Sequence, residues 1–96
     1  MKVPIVYMVA NKRNGTIYTG VTSAVVKRTY EHKIGIGSIF TKKYRCKMLV
    51  FYEIHETMES AIIREKKLKG SSRKRKLKLI ETQNPLWNDL YGEVIW

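Results

Sequence analysis

The chain has 96 residues, of which 44% are hydrophobic, and its 19 lysines and arginines outnumber 8 aspartates and glutamates to give a net charge of +11. This length accommodates one domain over residues 1–96 and excludes Rossmann and barrel enzymes, which need longer chains. The apolar and aromatic content excludes a disordered basic tail. The charge favours a polyanionic partner, and a membrane surface or ribosomal RNA would fit it as well as DNA.

Cysteine content and hydropathy predict the compartment. The one cysteine, Cys46, excludes an internal disulfide and a multi-cysteine zinc site, which favours a reducing environment. The first apolar run is too short for a signal peptide and is followed by more positive charge. No stretch approaches the roughly 20 apolar residues that span a bilayer. We therefore predict a cytoplasmic protein with no membrane partner.

A β-hairpin is predicted near the start of the chain. Residues 5–10 form a short β-branched and aromatic run bounded by Pro4 and Asn11, which is typical of a strand. Asn14-Gly15 is a turn dipeptide, and residues 16–20 again have strand composition. The two strands are therefore expected to pair.

A helix and a third strand follow the hairpin. Thr22 or Ser23 can cap a helix from residue 24 to about residue 34, which the glycines that follow would end. Residues 35–47 contain glycine and many basic side chains, so we predict a loop there. The apolar run 48–52 predicts the third strand.

The last part of the chain is predicted to be helical. Thr57 caps a helix that runs to residue 68 and ends at Gly70, and Ser71 or Ser72 caps another that ends near residue 82. An irregular tail begins at residue 84. The predicted order is ββαβαα, which indicates an α/β (α+β) fold with helices flanking a small, mainly antiparallel three-stranded sheet.

One acidic residue lies on an apolar helix face. Met58, Ala61, Ile62 and Leu68 recur at helical spacing and define the inward side of the second predicted helix. Glu65 falls on that same side, where a carboxylate is costly unless it is paired or bound to a cation. A structural ion pair with a lysine is the ordinary explanation, and a metal ligand is the functional one.

Polar and aromatic side chains of the first three elements form a second group of candidates. Arg28 and His32 are four residues apart and share a helix face, where they could contact phosphate and move a proton. Tyr7 and Tyr18 lie in the two hairpin strands. Taken singly, each of these four residues is better explained by ordinary packing or surface exposure.

A basic run covers the last two predicted helices, where nine of the fifteen residues from 64 to 78 are lysine or arginine. Such a run is often only a solvated face or a localisation signal, but the apolar residues within it favour an ordered helix. We therefore expect it to contact a phosphate backbone. The expected DNA-binding residues, including two in the basic loop, are Lys42, Lys43, Lys66, Lys69, Arg73 and Lys74.

Five positions in order resemble the GIY-YIG nuclease family. The tripeptides Ile5-Val6-Tyr7 and Tyr18-Thr19-Gly20 resemble the two motifs that name it. Arg28 follows the second tyrosine by ten residues and His32 follows four later, as in several members. Residues 64–69, which include Glu65, look like the segment that supplies the family's metal ligand.

The resemblance covers nearly the whole chain. Residues 40–44 look like the basic loop of the small standalone bacterial members, and residues 84–90 look like the end of those chains. The chain departs from the pattern at Ile5, where the motif has glycine, and at Val21, where excision-repair relatives carry a lysine.

The resemblance implies metal-dependent hydrolysis of a DNA phosphodiester bond. Glu65 would hold Mg²⁺ or Mn²⁺, a hard ion for which one carboxylate can suffice. Arg28 would bind the phosphate as charge develops. Tyr18 would be the general base toward water, and Tyr7 and His32 would orient that water or relay its proton.

Two further residues receive supporting roles. Gly20 would let the backbone pass close to the site, and Asn84 would line it. The expected substrate is DNA, branched or flapped or cut with low sequence specificity, in repair or recombination. A partner protein for targeting and the oligomeric state stay open.

Two other functions remain open at this point. A non-catalytic nucleic-acid-binding module could keep the same fold, although it would not need the inward Glu65. An RNA-binding or ribosome-associated protein would also fit the charge, but no stacking-aromatic motif of the RNA-recognition type is apparent.

Overall fold

A strand buried on both faces forms the centre of the computed structural model, which describes residues 2–95. This strand, Ile5–Ala10 (β1), pairs antiparallel with Ile17–Thr22 (β2) on one side and with Met48–Ile54 (β3) on the other. The sheet order is therefore β2-β1-β3. The predicted hairpin and the antiparallel three-stranded sheet are confirmed.

Five helices accompany the sheet in the described part of the chain: Val25–Lys33 (α1), Ile39–Tyr44 (α2), Met58–Lys69 (α3), Arg73–Gln83 (α4) and Tyr91–Val94 (α5). The predicted ββαβαα order holds, with α2 and α5 as short additions. Between residues 2 and 95, no helix has the length and apolar character needed to cross a membrane.

Side chains alternate along β1 between two apolar cores. Val6, Met8 and Ala10 pack on the face covered by α3 and α4, together with Leu68 and Ile80. The side chains between them pack on the opposite face, which holds Ile5, Tyr7, Val9, Cys46, Leu49 and Leu90. Helices and the tail cover both faces of the sheet at β1, which explains why the sequence of this strand is continuously apolar.

Helix caps confirm two predictions and correct a third. The hydroxyls of Thr57 and Ser72 accept hydrogen bonds from the backbone N–H groups of residues 60 and 75, at 3.1 and 3.2 Å, and so cap α3 and α4. The expected cap of α1 by Thr22 or Ser23 is wrong. Ala24 occupies that position without a side-chain cap, and its N–H donates to Thr22 Oγ1 at 3.0 Å.

Two predicted irregular segments contain helices. The 35–47 loop includes α2, which Ser38 caps by accepting a hydrogen bond from the Thr41 N–H at 3.1 Å and which Arg45 ends at a φ of 56°. The tail after residue 84 contains the one-turn helix α5. Each helix is too short to show a helical period in its sequence.

The predicted inward face of α3 is narrower than expected. Ala61 and Leu68 are buried and Met58 packs partly against them, but Ile62 is 37% exposed. Helical spacing placed Ile62 on the apolar side, four residues after Met58, and the structure places it at the solvent edge.

The backbone N–H and C=O groups at the free edge of β3 form hydrogen bonds with side chains and with the tail backbone instead of with another strand. The Gln83 amide accepts from Tyr52 N–H at 3.1 Å and donates to Tyr52 C=O at 2.8 Å. Asp89 accepts from the Leu49 N–H at 3.1 Å, and the Leu90 N–H donates to the Leu49 carbonyl at 2.7 Å. These bonds block edge pairing and fix the tail against the sheet.

Asn84, expected to line the site, is buried within this tail contact. Its amide nitrogen donates to the carbonyls of Val50 and Asn88 at 3.1 and 2.8 Å, and its oxygen accepts from the Asn88 N–H at 3.0 Å. These three bonds join the end of α4 to β3, and none of them reaches the tyrosines of the hairpin.

We predict that Asn84→Ala lowers the free energy of unfolding by roughly 1–3 kcal/mol, because it leaves buried backbone carbonyls without a donor. Urea unfolding of the purified variant measures this change. Asn88→Ala is the matched control, since Asn88 is exposed and contributes only backbone atoms to these bonds. Equal stability of the two variants would contradict the structural role of Asn84.

Candidate active site

The hairpin register places both tyrosines on one face of the sheet. Tyr7 lies opposite Gly20, and Tyr18 lies opposite Val9, so the two tyrosine rings are separated by 6.5 Å between centroids. A Cβ at Gly20 would lie 2.5 Å from the Tyr7 hydroxyl oxygen. Glycine is therefore required at this position because the Tyr7 ring lies directly against the β2 backbone.

Helix α1 brings His32 and Arg28 to the tyrosines. The Tyr7 hydroxyl and His32 Nε2 are 2.9 Å apart, and the imidazole lies 5.7 Å from the Tyr18 ring. Arg28 lies one helical turn earlier, beside Tyr7, and forms an ion pair with Glu31 at 3.3 Å. Residues that the sequence left separate thus form one cluster.

A hydroxyl chain from α2 supports the other side of His32. His32 Nδ1 lies 3.0 Å from Thr41 Oγ1, which lies 2.9 Å from Ser38 Oγ. A Cβ at Gly37 would lie 2.1 Å from His32 Nδ1, so only glycine leaves room for the ring. Sequence reasoning missed all three residues. The serine–x–x–threonine spacing of a helix start was the one available signal.

Protonation in this cluster follows from burial and from the Arg28 charge. Burial raises the pKa of Tyr7 to about 12, against the opposing effect of Arg28. Burial, with the Arg28 charge adding to it, lowers the pKa of His32 to about 4. Burial disfavours the Arg28 charge, but Tyr7 and Glu31 outweigh it and raise the Arg28 pKa. At neutral pH, Tyr7 is protonated and His32 is neutral.

One proton arrangement satisfies these groups. Arginine can only donate hydrogen bonds, so the Tyr7 oxygen beside Arg28 is best used as an acceptor toward it, which leaves the Tyr7 hydrogen for His32 Nε2. A neutral imidazole then carries its hydrogen on Nδ1 and donates to Thr41 Oγ1. Thr41 thereby sets the tautomer that faces Tyr7.

Glu65 joins the cluster through Lys69. The Glu65 side chain is 13% exposed, and its Oε2 accepts from Lys69 Nζ at 2.8 Å. The same ammonium lies 5.5 Å from the Tyr18 ring centroid, and its hydrogen bond to Glu65 raises the pKa of Lys69. Both explanations offered for Glu65 are therefore still relevant, since the lysine pair is present and the same lysine lies over the Tyr18 ring.

The donor set fits a hard cation that keeps most of its waters. Within residues 2–95, no group of three or more acidic, histidine or cysteine side chains is placed to hold a metal ion. Glu65 would therefore act as a lone carboxylate ligand, which suits Mg²⁺ or Mn²⁺ and does not suit a structural zinc ion. Lys69 is bonded to Glu65 Oε2 alone, which leaves Oε1 for such a cation.

The expected DNA-binding residues differ in their surroundings. All six side chains are exposed, namely those of Lys42, Lys43, Lys66, Lys69, Arg73 and Lys74. Lys69 is bonded to Glu65, as described above. The Arg73 guanidinium donates to the carbonyls of Asn14 and Gly15 at 2.6 and 2.7 Å, so it holds the hairpin turn, a structural role that the basic run did not predict.

We predict that His32 makes the protein less stable as the pH falls. The unfolded histidine binds a proton below pH 6.5 and the folded one only near pH 4, so the free energy of unfolding decreases across that interval. At pH 5 the loss is roughly 2 kcal/mol. Urea unfolding at pH 7 and pH 5 measures it, and His32→Gln should lack this component. An equal pH dependence in the variant would contradict a neutral, buried His32.

Comparison with known proteins shows the family of this chain. The family described as the GIY-YIG catalytic domain matches residues 3–78. A UPF0213 protein of Staphylococcus saprophyticus is 40% identical over 75 residues, which cover 78% of this chain and 90% of the relative. A UPF0213 protein of Staphylococcus haemolyticus is 41% identical over 76 residues, which cover 79% and 92%. No solved structure matches. The chain belongs to the GIY-YIG catalytic domain family.

Proposed function

We propose that this protein is a metal-dependent endonuclease that hydrolyses DNA phosphodiester bonds, with structure-directed or low sequence specificity. The observation that carries the proposal is the connected cluster around the 2.9 Å Tyr7–His32 contact, with Tyr18, Arg28 and Glu65 at its rim. Family membership supports nuclease-type chemistry.

Arg28 is the residue that we assign to the scissile phosphate. Its side chain is partly exposed and bound at one nitrogen to Glu31, which leaves other donors of the planar guanidinium for phosphate oxygens. A fixed charge at this point stabilises the negative charge that develops during hydrolysis.

Tyr18 is our candidate for accepting the proton of the attacking water. Its ring is half-buried, and the Lys69 ammonium lies 5.5 Å from the ring centroid, next to the carboxylate assigned to the metal ion. Tyr7 is buried and holds its proton, so we assign it, together with neutral His32, to orienting the water.

Glu65 is the residue that would hold the divalent cation, Mg²⁺ or Mn²⁺. When bound, such an ion neutralises charge on the phosphate and on the leaving oxygen. The carboxylate needs no other acidic side chain for this, because Mg²⁺ retains several waters.

A second candidate function is a nucleic-acid-binding module that keeps the fold and does not cut. The Glu65–Lys69 ion pair supports this alternative, since a lysine already neutralises the carboxylate. The exposed residues Lys42, Lys43, Lys66 and Lys74 would serve DNA binding in either case.

We predict that Glu65→Gln lowers the rate of Mg²⁺-dependent cleavage of labelled DNA at least 100-fold, because the neutral amide cannot replace a charged ligand. The assay compares plasmid, flap and four-way junction, with and without Mg²⁺. Glu59→Gln is the matched control, since Glu59 is an exposed residue in the first turn of the same helix. Tight, salt-sensitive binding without cleavage by the wild type would favour the binding module.

We predict that Thr41→Val lowers kcat by about 10-fold or more and shifts the pH profile of kcat, because the His32 tautomer is no longer fixed. Thr41→Ser should restore both, since it retains the hydroxyl that bonds His32 Nδ1. Steady-state cleavage rates from pH 5 to pH 9 measure the effect. An unchanged profile in Thr41→Val, with normal folding, would exclude a positioning role for Thr41.

A further inference from the structure

A row of aromatic rings leads from the candidate site to the surface of α2. The Phe40 ring lies 5.8 Å from the Tyr18 ring, and the Tyr44 ring lies 4.7 Å from Phe40, measured between centroids. Phe40 and Tyr44 are each 40% exposed. The row is therefore continuous from Tyr18 to solvent.

Core packing does not explain why Phe40 and Tyr44 are aromatic. Thr41 is the buried residue of α2, and it is used by His32. The Phe40 ring lies between the rings of Tyr18 and Tyr44, and neither Phe40 nor Tyr44 belongs to an apolar core. Adjacent exposed aromatic side chains beside a candidate active site are typical of a binding surface.

Positive charges accompany the rings. Lys43 Nζ lies 5.3 Å from the Tyr44 ring centroid, and Lys69 Nζ lies at a similar distance from Tyr18. Lys42 and Arg45 are exposed on the same short segment. An apolar protein partner would have to desolvate these cations, whereas a polyanion with flat rings matches both features.

Unpaired nucleotides have the chemistry that this surface recognises. Aromatic side chains stack on bases of any sequence, and neighbouring cations follow the phosphates. In duplex DNA the base faces already stack on each other, so a protein ring can reach them only where the strand is unpaired.

We propose that Phe40 and Tyr44 form a stacking platform for unpaired DNA bases next to the bond that is cut, so that single-stranded DNA is the preferred substrate. This inference rests on the proposed nuclease function, for which it names the substrate class. Tyr18 lies where the platform meets the candidate site, which places the stacked nucleotide beside the groups assigned to the phosphate.

The test compares binding of single-stranded and duplex oligonucleotides that carry 2-aminopurine, in EDTA to prevent cleavage. We expect Phe40→Ala and Tyr44→Ala each to weaken single-strand binding roughly 10-fold and to reduce the quenching of 2-aminopurine. Duplex binding should change less than twofold. Tyr30→Ala is the matched control, because Tyr30 is an exposed aromatic residue on α1 outside the row.

Conservative variants guard against misfolding. Phe40→Leu retains apolar volume without a flat ring and should bind single strands as weakly as Phe40→Ala, whereas Phe40→Trp should bind as the wild type does. Equal binding by Phe40→Leu and the wild type would overturn the platform, as would equal losses for single-stranded and duplex DNA.

The binding and cleavage results separate the two proposals. If the wild type cuts nothing but binds single strands through Phe40 and Tyr44, the platform stands and the nuclease assignment fails. If the wild type cuts duplex and single strands equally, and Phe40→Ala and Tyr44→Ala affect neither binding nor cleavage, the nuclease assignment stands and the platform is wrong.

Discussion

The hydrogen bond between Tyr7 and His32, at 2.9 Å, is the contact on which the candidate site depends. It joins the central strand to α1 inside a buried core, and two glycines make it sterically feasible. A Cβ at Gly20 would meet the Tyr7 hydroxyl at 2.5 Å, and one at Gly37 would meet His32 Nδ1 at 2.1 Å. Burial determines the protonation of the two partners, because it keeps Tyr7 protonated and His32 neutral.

The charged half of the site comes from the opposite helical layer. Helix α3 packs its apolar side against the other core and extends Lys69 over the Tyr18 ring at the sheet edge, with Glu65 bonded to that lysine. The lone Glu65 carboxylate lies in a protein with a net charge of +11. This positive charge attracts the DNA polyanion in spite of the carboxylate. Lys69 is bonded to one oxygen of the Glu65 carboxylate, so a divalent ion would share the carboxylate with this lysine or compete with it.

Local patterns were sufficient to predict the sheet and the longer helices. The hairpin and the caps Thr57 and Ser72 follow from turn and capping chemistry that acts over a few residues. The role of Thr41 could not be predicted, because it depends on a six-residue helix without a visible period and on a contact with His32. Arg73 holds the hairpin turn by hydrogen bonds to Asn14 and Gly15. These residues are 59 and 58 positions away in the sequence, so no local pattern encodes the contact.

The central claim is that one divalent cation binds beside the two tyrosines. A Mn²⁺ titration followed by NMR tests this claim most directly. Paramagnetic broadening reports the position of the ion independently of cleavage. If the ion binds at Glu65, the signals of Glu65, Lys69 and Tyr18 broaden first, and Glu65→Gln abolishes this selectivity. Broadening centred on the exposed acids Glu56 and Glu59 at the start of α3, or no selective broadening, would contradict it.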